Sequence, residues 1–364
     1  MSVPPPSAPV VEARVFHWPK DLTKSPYLEL FYGALEPHGV RTDAGFMLSP
    51  RWLLRHTAPG DVVHFHWAEW LWNPNREPPA RALAKLAAFL LLAGRRGVLR
   101  AWTVHNLEPH EGGGWADRAG TRLLATLSDL VICHSEGVAE HVRRRYRPRG
   151  RVVVMPHGSY TGWFPPPRPR ADVLGELGLD PEVPVLACVG YVRDYKGLDV
   201  AAAAAARLGA DAQLLVAGEP HARFDIDGLR AEMDRLPRAA LVERRLSEQE
   251  VADLVSASDV VLLPYRKITG SGALLTAWSL GRAAVASDLP YFREAVPASS
   301  DAGFLFKPGD PAALAEAVRR ALAVPAERRG AAAAELTREY AWERVVGPVA
   351  ETMTAWARRH APAR

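Results

Sequence analysis

Short runs dense in Val, Ile and Leu alternate with amphipathic stretches along most of the chain, the pattern of parallel strands joined by helices. In the first part the runs ARVFHW (Ala13–Trp18), DVVHFHW (Asp61–Trp67), VLRAWTVH (Val98–His105), DLVICHS (Asp129–Ser135) and RVVVMP (Arg151–Pro156) are predicted strands. Ser25 as N-cap and Pro26 at the first position open a predicted helix, with Leu28, Phe31 and Leu35 on one face and Pro37 and Gly39 to end it. Pro79–Ala93 and Asp117–Leu127 fit helices as well. The stretch TGWFPPPRPR (Thr161–Arg170) breaks the rhythm and reads as an interdomain linker. A second series follows, with strands at Val185–Tyr191, Ala212–Gly218, Ala240–Arg244, Asp259–Tyr265 and Ala283–Asp288, and helices such as Leu198–Leu208 and Ser247–Ala257. The pattern predicts an α/β protein with two Rossmann-like domains in tandem, and the alanine run Ala201–Ala206 reads as a close-packed helix.

Length and composition agree with this division. A chain of 364 residues exceeds what one core usually organises, and 48% hydrophobic with 24% charged residues supplies two cores. The longest apolar run, Leu86–Gly94, is far short of the ~20 residues that cross a bilayer. The opening MSVPPPSAPVVEA has neither a basic nor an apolar leader segment, so a cytoplasmic location is expected. Cys133 and Cys188 each lie inside an apolar run and are expected to be buried free thiols, with no structural metal.

Charge and aromatic content divide the chain unevenly. Residues 1–160 carry 20 Lys and Arg against 14 Asp and Glu, together with ten of the twelve histidines and seven of the eleven tryptophans. The two halves are therefore expected to bind different things. The run HVRRRYRPRGR (His141–Arg151) reads either as a solvated helix end or as a surface for anionic lipid head groups; no nucleic-acid-binding motif accompanies it.

Four segments carry candidate chemistry. GYVRDYKGLD (Gly190–Asp199) puts Arg193 and Lys196 in a loop between strand and helix, where two cations can clamp a diphosphate; solvated loop charges are the plainer reading. A P-loop is disfavoured, because no GxxxxGK[ST] occurs. TGSG (Thr269–Gly272) precedes a helical run, so Gly270, Ser271 and Gly272 offer backbone N–H groups and a hydroxyl to an anion, unless this is simply a capped helix. HFHW (His64–Trp67) and WTVHNLEPHE (Trp102–Glu111) lie at predicted strand ends, where a metal site, structural histidines and a polar active-site wall are the alternatives.

Taken together, VGYVRDYKGLD, LVAGE (Leu215–Glu219), LSEQEVADLVSASDVVLLPY (Leu246–Tyr265), LGRAAVASDLPYFREAV (Leu280–Val296) and GFLFKPGDPAALAEAV (Gly303–Val318) resemble the retaining glycosyltransferases of the GT-B fold, the family 4-like superfamily that includes glycogen synthase and bacterial mannosyltransferases. The resemblance implies two Rossmann-like domains facing a central cleft, with a C-terminal helix crossing back onto the first. The domains would be 1–160 with 341–364 for the acceptor and 161–340 for the donor. It implies that Arg193 and Lys196 hold the donor diphosphate with Gly270, Ser271 and Gly272, that His105 lines the reaction centre, and that Leu246 lies at the base. VVMPHGSY (Val153–Tyr160) corresponds to the hinge, and His17, Ser25, His66, Trp67, Asn106, Glu108 and Glu111 to the acceptor and sugar cleft.

Two departures mark a divergent branch. Where the family carries two glutamates eight residues apart, this chain has Thr276 at the ribose position and Ile268 or Thr269 at the other, and KDLTKSP (Lys20–Pro26) replaces the usual glycine-rich loop. The expected activity is metal-independent transfer of a hexosyl unit from a GDP- or UDP-linked sugar to an acceptor hydroxyl, with retention, in polysaccharide, glycolipid or glycoside biosynthesis. The nucleotide sugar is a substrate, and no cofactor is expected. The partners are that donor, an acceptor saccharide, glycolipid or small-molecule aglycone, and an anionic inner membrane face met through Arg143–Arg151. The alternatives are an inverting transferase of the same fold with Glu108 or Glu111 as base, a sugar-nucleotide epimerase, and a catalytically degenerate sugar-nucleotide-binding protein.

Overall fold

The computed structural model describes residues 13–21, 26–72, 77–107 and 114–360. The chain forms two compact units, one made of Met1–Pro156 with Trp342–Arg364 and the other of His157–Ala341.

The first unit holds strands β1 (Ala13–Trp18), β2 (Val40–Gly45), β3 (Val62–Phe65), β4 (Leu99–Val104), β5 (Leu130–Cys133) and β6 (Arg151–Val154). They form one sheet in the order β2-β1-β3-β4-β5-β6, with every pairing parallel. The order reverses between β1 and β3, and in open parallel sheets ligands bind beyond the carboxyl ends of the strands at such a switch point. Strand β2 is absent from the sequence-based expectation, because VRTDAG buries only its first residue and its edge position needs no apolar run.

The helix Pro26–Leu35 has the predicted apolar face, with Leu28, Phe31 and Leu35 buried, and Gly39 ends the following 3-10 turn in the left-handed conformation. Its expected N-cap, Ser25, lies outside the described residues. The helix expected to begin at Asp117 begins at Trp115 instead. Asp117 is its third residue, and its carboxylate accepts the Gly114 amide at 2.8 Å.

The C-terminal helix Gly347–His360 packs on the first unit: Val349, Ala350 and Met353 join the core that contains Val15, Leu28 and Phe31. Full burial of side chains such as Val349 and Met353 is worth roughly 1.5 to 3 kcal/mol each. Trp356 Nε1 donates to the Gly97 carbonyl at 2.9 Å, and Arg151 donates to Thr352 Oγ1 at 3.0 Å.

The second unit holds β7 (Val185–Val189), β8 (Gln213–Ala217), β9 (Ala239–Val242), β10 (Val260–Leu263), β11 (Ala283–Ser287) and β12 (Gly303–Phe306), in the order β12-β11-β10-β7-β8-β9, again all parallel. Its switch point lies between β7 and β10. Ala201, Ala202, Ala204 and Ala205 of the helix Leu198–Leu208 are all buried beside Leu314, Ala317 and Val318 of the helix Pro311–Ala323, so the alanine run permits close helix packing. Thr161–Arg170, expected to be an interdomain linker, lies inside this unit: Arg168 binds the buried Asp253 through both its amide and its Nε at 2.8 Å. A proline run with a guanidinium to anchor it can lie down on a surface as readily as span a gap.

Candidate active site

In the second unit, the chain leaves β7 at Val189 and makes a 3-10 turn, Asp194–Lys196, before the helix Leu198–Leu208. The turn ends at Gly197, where φ is +66° and an added Cβ would lie 2.1 Å from the Pro264 carbonyl oxygen. Only glycine fits there, and the approach ties the loop after β7 to the loop after β10.

That geometry turns Lys196 inward. Its residue is buried, and its Nζ stands 5.8 Å from the Tyr265 ring centroid in a small concavity with Cys188, Val216, Leu262 and Pro264. Burial lowers the ammonium to about 8, with Cys188 pulling the other way and Arg193 adding to the drop. Arg193 lies nearer the surface, its guanidinium 5.7 Å from the centre of the exposed Tyr191 ring.

The loop after β10 leads to the helix Gly272–Ser279, whose N-cap is Ser271. The buried Ser271 hydroxyl accepts the Leu274 amide at 3.2 Å and also bonds the Tyr265 side chain. Tyr265 therefore has the Lys196 ammonium near its ring and the Ser271 hydroxyl bonded to its side chain, which brings both predicted phosphate loops to one place. Thr269 and Gly270 are half-buried in the same loop, and Thr276 is half-buried one turn into the helix. Leu246 is farther away: it follows β9, an edge strand two places from β7, and packs against the core containing Leu254.

The segment from His157 to Tyr160 belongs to this site, though the sequence identified it only as a hinge. The Tyr160 amide donates to Ser279 Oγ at 2.9 Å, and its hydroxyl stands 3.1 Å from where a Gly272 side chain would begin. His157 donates from Nδ1 to the Gly158 carbonyl at 2.7 Å, and its Nε2 lies 3.4 Å from the Tyr160 hydroxyl.

In the first unit, the histidines at the carboxyl ends of the strands form a hydrogen-bonded chain. His64 Nε2 meets Thr103 Oγ1 at 2.8 Å, the Tyr32 hydroxyl lies 3.0 Å from both His64 Nδ1 and His66 Nε2, and His66 Nδ1 is 2.9 Å from His105 Nε2. Burial pulls His64 down to about 3 and His66 well below its ordinary value, with neighbouring histidines adding to both, so the two imidazoles are neutral. His17 donates from Nδ1 to the Pro19 carbonyl at 2.7 Å, and its ring centre lies 5.4 Å from that of Tyr32. Burial lowers it as well.

Trp67 holds a left-handed backbone conformation, φ +42°, which is uncommon for a bulky residue, and its indole stacks on His105 at 4.2 Å between centres. Three residues of this site escaped sequence reasoning. His134 follows β5 and lies 5.4 Å from His105, ring to ring; Tyr27 packs edge-on against His66, Trp67, His105 and His134. Glu69 sits on the 3-10 turn Ala68–Trp72, where its Oε1 accepts from Asn106 Nδ2 at 3.4 Å. Its position in HFHWAEW, just past a strand end rich in histidine and tryptophan, was the available signal. Ser25, Glu108 and Glu111 lie outside the described residues.

Among the described residues no group of three or more His, Cys, Asp or Glu is placed to hold a metal ion, and no helix is long and apolar enough to cross a membrane. Both cysteines are buried and free, and burial raises each thiol to about 12. The six arginines of the run from Arg143 to Arg151 are exposed; Arg143 pairs with Glu136, and Arg144 with Glu140 at 3.3 Å.

Comparison with known proteins bears on both units. Residues 183–323 match the family described as Glycosyl transferases group 1. The chain is 29% identical over 268 residues to GDP-mannose:glycolipid 4-beta-D-mannosyltransferase of Xanthomonas campestris pv. campestris, covering 72% of this chain and 69% of that protein. It is 31% identical over 279 residues to alpha-maltose-1-phosphate synthase of Mycolicibacterium smegmatis, covering 68% of this chain and 71% of the relative. Among solved structures, sucrose-phosphate synthase of Thermosynechococcus elongatus matches with a TM-score of 0.71 at 18% identity, covering 96% of this chain and 98% of its own. HepE of Anabaena in complex with UDP and glucose matches with a TM-score of 0.69 at 14% identity, covering 94% and 100%. The structural likenesses establish the GT-B fold.

Proposed function

We propose, for a chain that belongs to the group 1 glycosyl transferases, that its second unit binds a nucleoside-diphosphate hexose and its first unit binds the acceptor. The chain is a hexosyltransferase. Lys196 carries the assignment of the donor side: its ammonium is buried at the switch point between β7 and β10 beside Tyr265, which begins the loop leading to a capped helix start.

An ammonium held there is oriented before the reaction begins. As the bond from the sugar to the diphosphate breaks, negative charge grows on the leaving oxygens, and a fixed cation in a partly dry site stabilises that charge more than the ground state. Arg193 adds a second cation, while Gly270, Ser271 and Gly272 contribute backbone N–H groups at a helix start. Thr276 would meet the ribose through its hydroxyl, and Leu246 would flank the base. His105, held by His66 and covered by Trp67, would contact the transferred sugar.

A GDP- or UDP-linked hexose fits this reading, since the Xanthomonas relative is named for GDP-mannose and the Anabaena structure holds UDP. The acceptor would be a saccharide, glycolipid or small aglycone, and a glycolipid acceptor gives the arginine run Arg143–Arg151 a role in docking on an anionic membrane face. The test is calorimetry with GDP and UDP, followed by donor turnover with and without an acceptor saccharide. Turnover that needs the acceptor supports transfer; epimerised donor without acceptor, or nucleotide binding without turnover, would replace it with an epimerase or a binding protein.

A further inference from the structure

The first unit has a concavity at the carboxyl ends of β3 and β4 whose chemistry is unlike that of the donor site. Its walls include the indoles of Trp67, Trp72 and Trp102, and its polar groups include Glu69, His105 and Asn106. Trp72 is fixed by a 2.8 Å hydrogen bond from Nε1 to Asp117 Oδ1, and it lies so close to the helix Trp115–Leu127 that a Cβ on Gly120 would come within 2.6 Å of the ring. The indoles of Trp72 and Trp102 are themselves buried in the core, so the aromatic surface left to a ligand is that of half-buried Trp67 and of the exposed Trp70 stacked beside it, and flat indole faces suit the C–H faces of a sugar. Among the described residues that line it there is no lysine or arginine.

We propose that Glu69 is the general base of the transfer, taking the proton from the acceptor hydroxyl, and that the reaction therefore inverts the anomeric carbon. This rests on the hexosyl-transfer reading above. In the step, the acceptor oxygen forms its bond to C1 of the donor sugar while its proton passes to the Glu69 carboxylate. The bond from C1 to the diphosphate oxygen breaks, and its electron pair leaves with the diphosphate. Attack on the face next to the leaving group can hand the proton to the departing phosphate itself. A protein carboxylate on the acceptor side serves attack from the opposite face.

The geometry fits that task. Glu69 is on a short turn directly after β3, half-buried, and its Oε1 is held toward the end of β4 by Asn106 at 3.4 Å. The titratable groups lining the same concavity among the described residues are His105, from the segment after β4, and Asp117, from the helix Trp115–Leu127. Burial raises the Glu69 carboxyl above the ordinary carboxylate range, and Asp117 adds to the rise, while Asn106 and the backbone oppose it. A stronger base nearer neutral pH is what proton abstraction from an alcohol requires.

The experiment follows hydrolysis of GDP-mannose and UDP-glucose, with water as acceptor, by wild type, Glu69→Gln, Glu69→Asp, Glu108→Gln and Glu111→Gln. In wild type, the rate should rise with pH through an acidic limb, and proton NMR before mutarotation should show the first-formed hexose inverted. Glu69→Gln should lower kcat on the order of a hundredfold or more and abolish the acidic limb. Its thermal midpoint and its affinity for GDP or UDP should be unchanged, and Glu69→Asp should keep a limb at a shifted position. A residue with only a structural role would alter the midpoint without removing the limb. An unaffected limb in Glu69→Gln, its loss in Glu108→Gln or Glu111→Gln instead, or a retained anomer would overturn the assignment alone. A wild type that neither binds nor turns over either donor would overturn the transfer reading, and this one with it.

Discussion

His66 Nδ1 and His105 Nε2 lie 2.9 Å apart, and one hydroxyl proton governs which of them carries the hydrogen. Tyr32 has a single O–H between His64 Nδ1 and His66 Nε2. If it donates to His66 Nε2, the neutral His66 donates from Nδ1 to His105; if it donates to His64, the direction of the His66–His105 bond reverses. A buried tyrosine thereby couples the tautomers of three imidazoles, the last of them at the proposed reaction centre.

Tyr32→Phe should uncouple them. It leaves His64 Nδ1 and His66 Nε2 without that bridge in a buried site, at a cost of about 1 to 3 kcal/mol for each group left unsatisfied. The expected results are a lower thermal midpoint and, by nitrogen NMR, a changed tautomer balance at His105. An unchanged His105 spectrum would mean that the relay does not reach it.

Lys196→Ala should lose about a hundredfold or more in kcat/KM, because one preorganised donor to a developing charge is worth roughly 3 to 4 kcal/mol. The ammonium lies at about 8 in the free protein, so a bound diphosphate should draw a proton onto it near pH 8, and affinity should fall as pH rises above that value. Calorimetry with GDP or UDP in buffers of different ionisation enthalpy measures the uptake. Lys196→Arg, always charged, should show none.

Acid should weaken the first unit before most carboxylates titrate. His64 is held at about 3 and His134 at about 4 by burial, against 6.5 for the unperturbed group. Their folded values are depressed, so above 6.5 both states are neutral and stability is flat. Below it the unfolded chain takes up protons that the fold refuses, and stability falls until pH reaches the folded values. The limiting slope is about 1.4 kcal/mol per pH unit for each histidine. Urea unfolding at pH 7.5 and 5.5 should show the loss, and His134→Gln should reduce it; equal midpoints at the two pH values would contradict the burial of neutral histidines.

Changing Arg143, Arg144 and Arg145 together to Glu should weaken binding to vesicles containing phosphatidylglycerol, by up to about 1 kcal/mol for each positive charge removed near the surface. Activity on a soluble acceptor should be unaffected. Glu136 and Glu140 already offset part of the charge, and binding should also fade with added salt, which screens what remains of it. Vesicle binding that survives the triple change would leave the run a solvated helix face.

Much of the architecture is legible in local sequence. The central strands are mostly apolar and buried on both faces, so Val62–Phe65, Leu130–Cys133 and Val260–Leu263 announce themselves, and the loops bearing Arg193, Lys196 and Ser271 follow at predictable strand ends. The edge strand Val40–Gly45 does not, because one neighbour and partial exposure relax the apolar requirement. What only the tertiary structure decided is which side chains meet. Tyr32 lies on a helix distant in sequence from His64 and His66; Glu69 reaches Asn106 across 37 positions; Tyr160 reaches Ser279 across 119. Strand order sets those meetings: placing β1 beside β3, and β7 beside β10, brings separate loops to one edge. The periodicity that makes a strand reports burial along its own length and is silent about its neighbour.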